Sequence, residues 1–275
     1  MRVILVPVAD RPECARALSA AFAIAGRIDA SVSGCHMRPH RYSDTRLSPA
    51  FAEAAWRKKS TKKAPAAAKA LYEQIANDAD FVLKKRAGRE PGALWSEKVG
   101  SPDRLMAIVG PLADLIVTSR PERTGGVADM FLNAALLQSG RPVLILPKAA
   151  RRNVGTRICI GWNQTSEAAR SVAAVTPLLA AAESVTIVSC GAEDQPGPKS
   201  TQLAQYLRHY GVTAERINTP GRDVEGELAT TCREQGANLL VAGAYSKSRW
   251  REKVFGGTTE WLIHECRLPV LLQHS

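Results

Sequence analysis

Two stretches of this chain share one outline, and that repetition constrains the fold more than any other feature. Residues 2–26, RVILVPVADRPECARALSAAFAIAG, run as an apolar strand, a short polar turn and an alanine-rich helix. Residues 156–180, TRICIGWNQTSEAARSVAAVTPLLA, do the same, and both helices carry Glu-x-Ala-Arg, at Glu13–Arg16 and Glu167–Arg170. Further along, ADLIVTS (113–119) answers ANLLVAG (237–243), and SGRPVLILP (139–147) answers CRLPVLLQH (266–274). Three matched pairs in one order indicate a tandem duplication, with its seam in KAARRNVG (148–155). The expected domains are residues 1–149 and 154–275.

Within the second half the spacing predicts strands at 157–162, 185–190, 213–217, 238–242 and 269–272. These runs are short, apolar and rich in β-branched residues, with little alternation, as strands covered on both faces are. Helical periodicity lies between them, near 166–182, 200–210, 222–235 and 258–266, with Thr165 or Ser166 as the first N-cap. Strands alternating with helices imply a parallel sheet joined by right-handed crossovers, an α/β architecture. The first half carries an extra segment, roughly 40–66. Its LYEQIANDADFVLKK (71–85) places Leu71, Ile75, Ala79 and Val82 on one face of a long, packed helix.

Composition narrows the class. The chain has 275 residues, 45% of them hydrophobic, enough for real cores, and no apolar run nears the roughly 18 residues that span a bilayer. The apolar start MRVILVPVA stops at Asp10 without a small-residue cleavage site, so it reads as a strand, and the cytoplasm is the expected compartment. Cys14, Cys35, Cys159, Cys190, Cys232 and Cys266 show no metal spacing and read as small core residues. The net charge of +11 gathers at Arg57–Lys63, at Lys84–Arg89 and at Lys148–Arg152. Solvated loops account for such runs. An anionic partner is the rival reading, but no aromatic-basic pattern or recognition motif makes nucleic acid the expected one.

The unabsorbed stretch is VAGAYSKSRWREKVFGGTTEWL, 241–262. An apolar run ends at Gly243, a basic loop follows with Arg249, Arg251 and Lys253, and Gly256-Gly257-Thr258-Thr259 opens a helix. Backbone N–H groups at such a helix start can face an anion, and the two threonines can add hydroxyl bonds. A parallel α/β sheet also places its ligand at the carboxyl ends of strands where the order reverses. The plain alternative is crowding relief at Gly243 and a turn at Gly256-Gly257.

These residues resemble the nucleotide-binding loop of the universal stress protein family, Gly-x-x-Gly, nine residues, then Gly-Ser or Gly-Thr. Gly243-Ala-Tyr-Ser246 fills the first part, Lys247–Phe255 the spacer, and Gly256-Gly257 the end. IGWNQTSEAARSV is similar to that family's first strand and loop. Two positions depart from the pattern: Ser246 stands where the second glycine is expected, and Asn163 where an acidic residue usually meets the nucleotide. The resemblance covers both halves. It implies two tandem flavodoxin-like three-layer α/β/α sandwiches of the adenine-nucleotide alpha-hydrolase-like kind, with parallel five-stranded sheets in the order 3-2-1-4-5. It carries the nucleotide site onto Gly161, Asn163, Cys190, Ala242, Gly243, Tyr245, Ser246, Gly256, Gly257, Thr258 and Thr259. The implied ligand is ATP or AMP, with Mg alongside ATP, and the implied role is stress response or signalling.

Aligning the halves through Pro142 and Pro269 places Asp129-Met130 opposite Gly256-Gly257, with Ser119 in the place of Gly243, and the repeat alignment of the first strands puts Ala9 opposite Asn163. Gly125-Gly126 comes earlier and the loop is three residues shorter, so the first half reads as a degenerate copy. The resemblance further implies an intramolecular pseudo-dimer through PVLILP and PVLLQ, and leaves a homodimer open. His36, His40, His209, His264 and His274 have no nucleophile or metal partner at a motif spacing, and neither G-x-S-x-G, H-E-x-x-H nor a Walker lysine occurs. A binding protein is expected rather than an enzyme, with slow hydrolysis of bound ATP as the most chemistry it would do. The competing expectation is a nucleotide-free interaction scaffold.

Overall fold

The computed structural model describes residues 1–9, 11–38, 63–121, 127–149, 153–244 and 257–273. They form two compact units, divided between Arg141 and Pro142. The first contains β1 (Val3–Val8), α1 (Pro12–Ile28), β2 (Ser31–Arg38), α2 (Lys63–Asp78), β3 (Leu83–Lys84), β4 (Ala93–Val99) and α3 (Pro102–Val109). A 3-10 turn (Gly110–Leu112), β5 (Leu115–Ser119) and α4 (Val127–Gln138) complete it. Its strands lie side by side in the order β3-β4-β2-β1-β5, every pair parallel. Ile4, Val6, Leu115, Ile116 and Val117 have no exposed surface, as central strands covered on both faces require. Pro12 sets the helical φ at the start of α1, and Asp29, at φ 55°, ends it.

The second unit contains β6 (Val143–Leu146), β7 (Arg157–Gly161), α5 (Ser166–Ala174), α6 (Thr176–Ala180), β8 (Ser184–Cys190) and α7 (Ser200–Arg208). After these come β9 (Ala214–Thr219), α8 (Val224–Glu234), β10 (Leu239–Gly243), α9 (Gly257–His264) and β11 (Val270–Gln273). The order is β6-β11-β10-β7-β8-β9. Counting from β7, the five strands of this repeat stand third, second, first, fourth, fifth, all parallel. The sixth, β6, runs antiparallel to β11, with Val143 opposite Leu272 and Ile145 opposite Val270. By sequence β6 is the last strand of the first repeat, yet it lies within the second compact unit.

The duplication is visible atom by atom. At the start of β7 the Asn238 side-chain oxygen Oδ1 accepts the backbone N–H of Gly155, Thr156 and Arg157 at 2.9–3.0 Å. At the start of β1 the matching Asp114 carboxylate accepts those of Arg2 and Val3 at 2.6 and 3.0 Å. Burial alone would raise the Asp114 carboxyl, but the N–H groups of Arg2 and Val3 outweigh it and hold it below its ordinary range.

Two helices differ from the periodicity. The stretch 71–85 is not one helix: α2 ends at Asp78, the chain reverses at Asp80 (φ 59°), and Leu83–Lys84 is a short strand. Its buried stripe is Ala68, Tyr72 and Ala76, whereas Leu71 and Ile75 are half-buried and Val82 is 66% exposed. Tyr72 packs tilted between Phe22 and Trp95 and donates its hydroxyl to the Val32 carbonyl. The 166–182 helix is broken in two, because Pro177 cannot supply the N–H that would continue it. Thr165 is the N-cap of α5, its hydroxyl accepting Ala168 N–H at 3.2 Å. Among the described residues, no helix is long and apolar enough to cross a membrane. All six cysteines are free; Cys35, Cys159, Cys232 and Cys266 are buried, Cys14 and Cys190 half-buried.

Candidate functional site

In the second unit β7 and β10 are neighbours, and Ala242 of β10 pairs with Gly161 at the end of β7. Beyond that pair the chain leaves β7 toward β8 and leaves β10 toward β11, which makes their carboxyl ends the switch point where sheets of this kind place a ligand. Gly161 and Gly243 are half-buried there and Ala242 is buried. Cys190 ends β8 at the same edge, and burial pushes its thiol up, so it lines the site uncharged at neutral pH.

Asn163 is exposed just past β7, but its amide oxygen is engaged. It accepts the Thr165 hydroxyl at 2.7 Å, and Thr165 in turn caps α5. The next turn is fastened from above. Trp162 Nε1 donates to the Pro198 carbonyl at 2.8 Å, Gln164 Nε2 donates to that of Gly197 at 3.0 Å, and Gln195 N–H donates to Gln164 Oε1. Gln164 sits at φ 61° and is buried, so residues 195–198 form a strap across the first loop. Glu193 anchors its base by accepting Ser189 Oγ–H and Ser200 N–H, both at 2.8 Å. Burial opposes ionisation of Glu193, but these bonds prevail and hold it below its ordinary range.

The two glycine positions of the motif differ in kind. A Cβ on Gly243 would lie 2.6 Å from Ala168 N and 3.0 Å from Ala168 Cα, inside the first turn of α5. Packing within the protein alone therefore demands glycine there. The matching Ser119 of the first unit, also against the first helical turn, donates its hydroxyl to the Glu13 carbonyl at 2.6 Å. Gly257 is the opposite case. It is exposed at the start of α9, and among the described residues a Cβ there would meet only Glu225 Oε1, at an ordinary 3.9 Å. Thr258 is half-buried and Thr259 buried in the same turn, and Glu260 follows them. The N–H groups of this first turn have no acceptor within the helix and carry the positive end of its dipole.

The arrangement thus brings together Gly161, Ala242 and Gly243 by strand pairing, with Asn163 and Cys190 on adjoining strand ends. Gly257, Thr258 and Thr259 belong to the helix that follows β10. Tyr245, Ser246 and Gly256 lie outside the described residues, as do Arg249, Arg251 and Lys253, and Asp10, Gly125 and Gly126 of the first half. Asp129 is buried in the first turn of α4. His36 is not a surface group: it is buried at the end of β2, its Nδ1 donates to the Val8 carbonyl at 2.8 Å, and its ring stacks on Trp95. Trp162 and Gln164 escaped the sequence reading because their partners lie more than thirty residues away. Asn238 carried a signal, since it and Asp114 are the polar residues at the same place in both repeats.

No family sequence model matches the chain, and no curated protein sequence matches it either. Its structure is similar to that of a universal stress protein from Archaeoglobus fulgidus DSM 4304, with a TM-score of 0.69 at 12% identity over 98% of this chain and 97% of that one. A putative universal stress protein from Pseudomonas aeruginosa UCBPP-PA14 matches with a TM-score of 0.59 at 18% identity, covering 99% and 93%. A functionally unknown protein from Pseudomonas aeruginosa PAO1 matches with 0.59 at 17%, covering 99% and 92%. The α/β fold is that of solved universal stress protein structures, across both halves of the chain.

Proposed function

We propose that this chain is a tandem universal stress protein whose second unit binds an adenine nucleotide, ATP or AMP, in a cytoplasmic stress-response or signalling role. The observation that carries the reading is Gly257. Nothing among the described residues uses the space beside it, and its φ does not require glycine. A glycine unexplained by packing at the N-terminus of a helix suits close approach of a phosphate to backbone N–H groups. Gly161 and Ala242 then offer a flat floor for the nucleoside, and Thr258 and Thr259 supply hydroxyls, with Mg accompanying ATP. Binding is the proposed activity; hydrolysis of bound ATP would be slow and incidental. Residues 1–149 are read as the degenerate copy and 154–275 as the binding domain, paired as a pseudo-dimer.

A second reading, a nucleotide-free interaction scaffold, draws on three specific facts. Gly243 is accounted for by α5, the Asn163 oxygen is taken by Thr165, and the Glu225 carboxylate stands near Gly257, where it opposes phosphate. Mass spectrometry of small molecules released from gently purified protein, followed by calorimetry with ATP and AMP, separates the two. Nucleotide binding abolished by Gly257→Val, with the fold intact, supports the first. Absence of any adenine-nucleotide binding at millimolar concentration leaves the scaffold.

A further inference from the structure

A second concavity lies at the opposite end of the second unit's sheet, where β7, β10 and β11 begin. It is a cleft of about 1110 Å³, and α8 and α9 contribute its walls. It is not a gap left by unsatisfied backbone. The N–H groups at the start of β7 are already taken by the Asn238 side chain. The lining is mixed: Val154, Ala237, Pro269 and Trp261 of α9 supply apolar and aromatic surface, with Asn153, Thr156 and charged side chains among them.

Among the described residues the charges around this cleft are unbalanced. Arg157 is paired with Glu183 at 3.4 Å. Arg233 and Arg267, both exposed, have no ion pair or side-chain hydrogen bond among the described residues, and Glu265 is the other carboxylate of the lining. Among the described lining residues one guanidinium is therefore in excess, in a recess that also holds the Trp261 ring. A guanidinium recognises carboxylate, sulfonate or phosphate through paired N–H donors, and a partly enclosed apolar wall strengthens that contact.

We infer that this cleft binds a planar organic anion, its ring system against Trp261 and Pro269 and its charged group on Arg233 and Arg267. The site lies at the far end of the strands from Gly161 and Gly243, so it stands or falls independently of nucleotide binding. The test uses full-length protein and two probes of similar shape: anionic 8-anilinonaphthalene-1-sulfonate and neutral N-phenyl-1-naphthylamine. Titration followed by probe fluorescence and calorimetry is expected to show saturable, one-to-one binding of the sulfonate, about tenfold or more tighter than the neutral probe. Arg233→Ala with Arg267→Ala should weaken the sulfonate by about tenfold and leave the neutral probe unchanged, while Gly257→Val alters neither. Both arginines are exposed, so unchanged circular dichroism and melting are expected of the double variant. Should that variant nonetheless misfold, the two-probe comparison on the wild type decides alone. Equal affinity for the two probes, non-saturable sulfonate binding, or a folded double variant that binds like the wild type would overturn the assignment.

Discussion

Replacing Gly243 with alanine tests whether this motif glycine serves the protein's own packing. The added Cβ would stand 2.6 Å from Ala168 N, whereas ordinary contacts begin near 3.4 Å, so a separation of 3.4 − 2.6 = 0.8 Å must be found. The obstacles are backbone atoms of α5, which cannot rotate away as a side-chain tip would. The helix turn capped by Thr165 has to move, and with it Ser171, whose hydroxyl donates to the Ala242 carbonyl at 2.9 Å. Overpacking of this kind costs about 1–3 kcal/mol. Urea unfolding should show a lower midpoint at unchanged slope, the mark of a stability change alone. Gly161→Ala is the internal control: its Cβ would meet Leu228 Cδ2 at 3.6 Å, an ordinary contact, so the expected change is within about 0.5 kcal/mol. A Gly243→Ala protein as stable as wild type would refute the packing argument, and Gly243 would have to be explained by a ligand.

Asn238→Ala strands three backbone N–H groups and should cost about 1–3 kcal/mol in urea unfolding, whereas Asn238→Asp keeps the acceptor and should lose less. Glu227 accepts the Thr219 hydroxyl and the N–H groups of Gly221, Arg222 and Asp223, and the Thr219 bond leads in drawing its pKa down to about 2 from the ordinary 4.5. A depressed carboxyl contributes its stability above its unfolded pKa and loses it as pH falls toward the folded one. The wild-type urea midpoint should therefore fall between pH 4.5 and about 2, and the fall should be shallower in Glu227→Gln. Gly34→Ala would press a Cβ to 2.5 Å from the Tyr72 ring and should lower the melting temperature, a loss that Tyr72→Ala in the same chain should not add to fully.

Where local chemistry decides, the sequence was legible. Apolar β-branched runs became strands, Thr165 became a cap, and the alternation of elements became a parallel sheet. Where a distant residue decides, it was not. Tyr72 rather than Leu71 is buried because Gly34, 38 positions earlier, leaves room for its ring, a fact no helical period contains. The break at Pro177 was there to be read from its missing N–H, but the alanine-rich run around it outweighed that single residue. At the candidate site the motif identified both glycine positions without distinguishing them. At one a Cβ would collide with α5, at the other it would meet only Glu225 among the described residues, and that difference exists only after the chain has folded.

The placement of β6 bears on how the chain can be divided. Repeat comparison puts the joint within 148–155, while the compact units part between Arg141 and Pro142. A fragment beginning at residue 154 would leave the β11 edge without its antiparallel neighbour and expose a ladder of apolar Val270, Leu271 and Leu272. Such an edge recruits whatever strand is at hand, including its twin on another fragment. A fragment beginning at Pro142 keeps the pairing of β6 with β11. One strand that sequence comparison assigns to the first repeat thus serves as a structural part of the second unit, and a cut at the sequence seam would remove it.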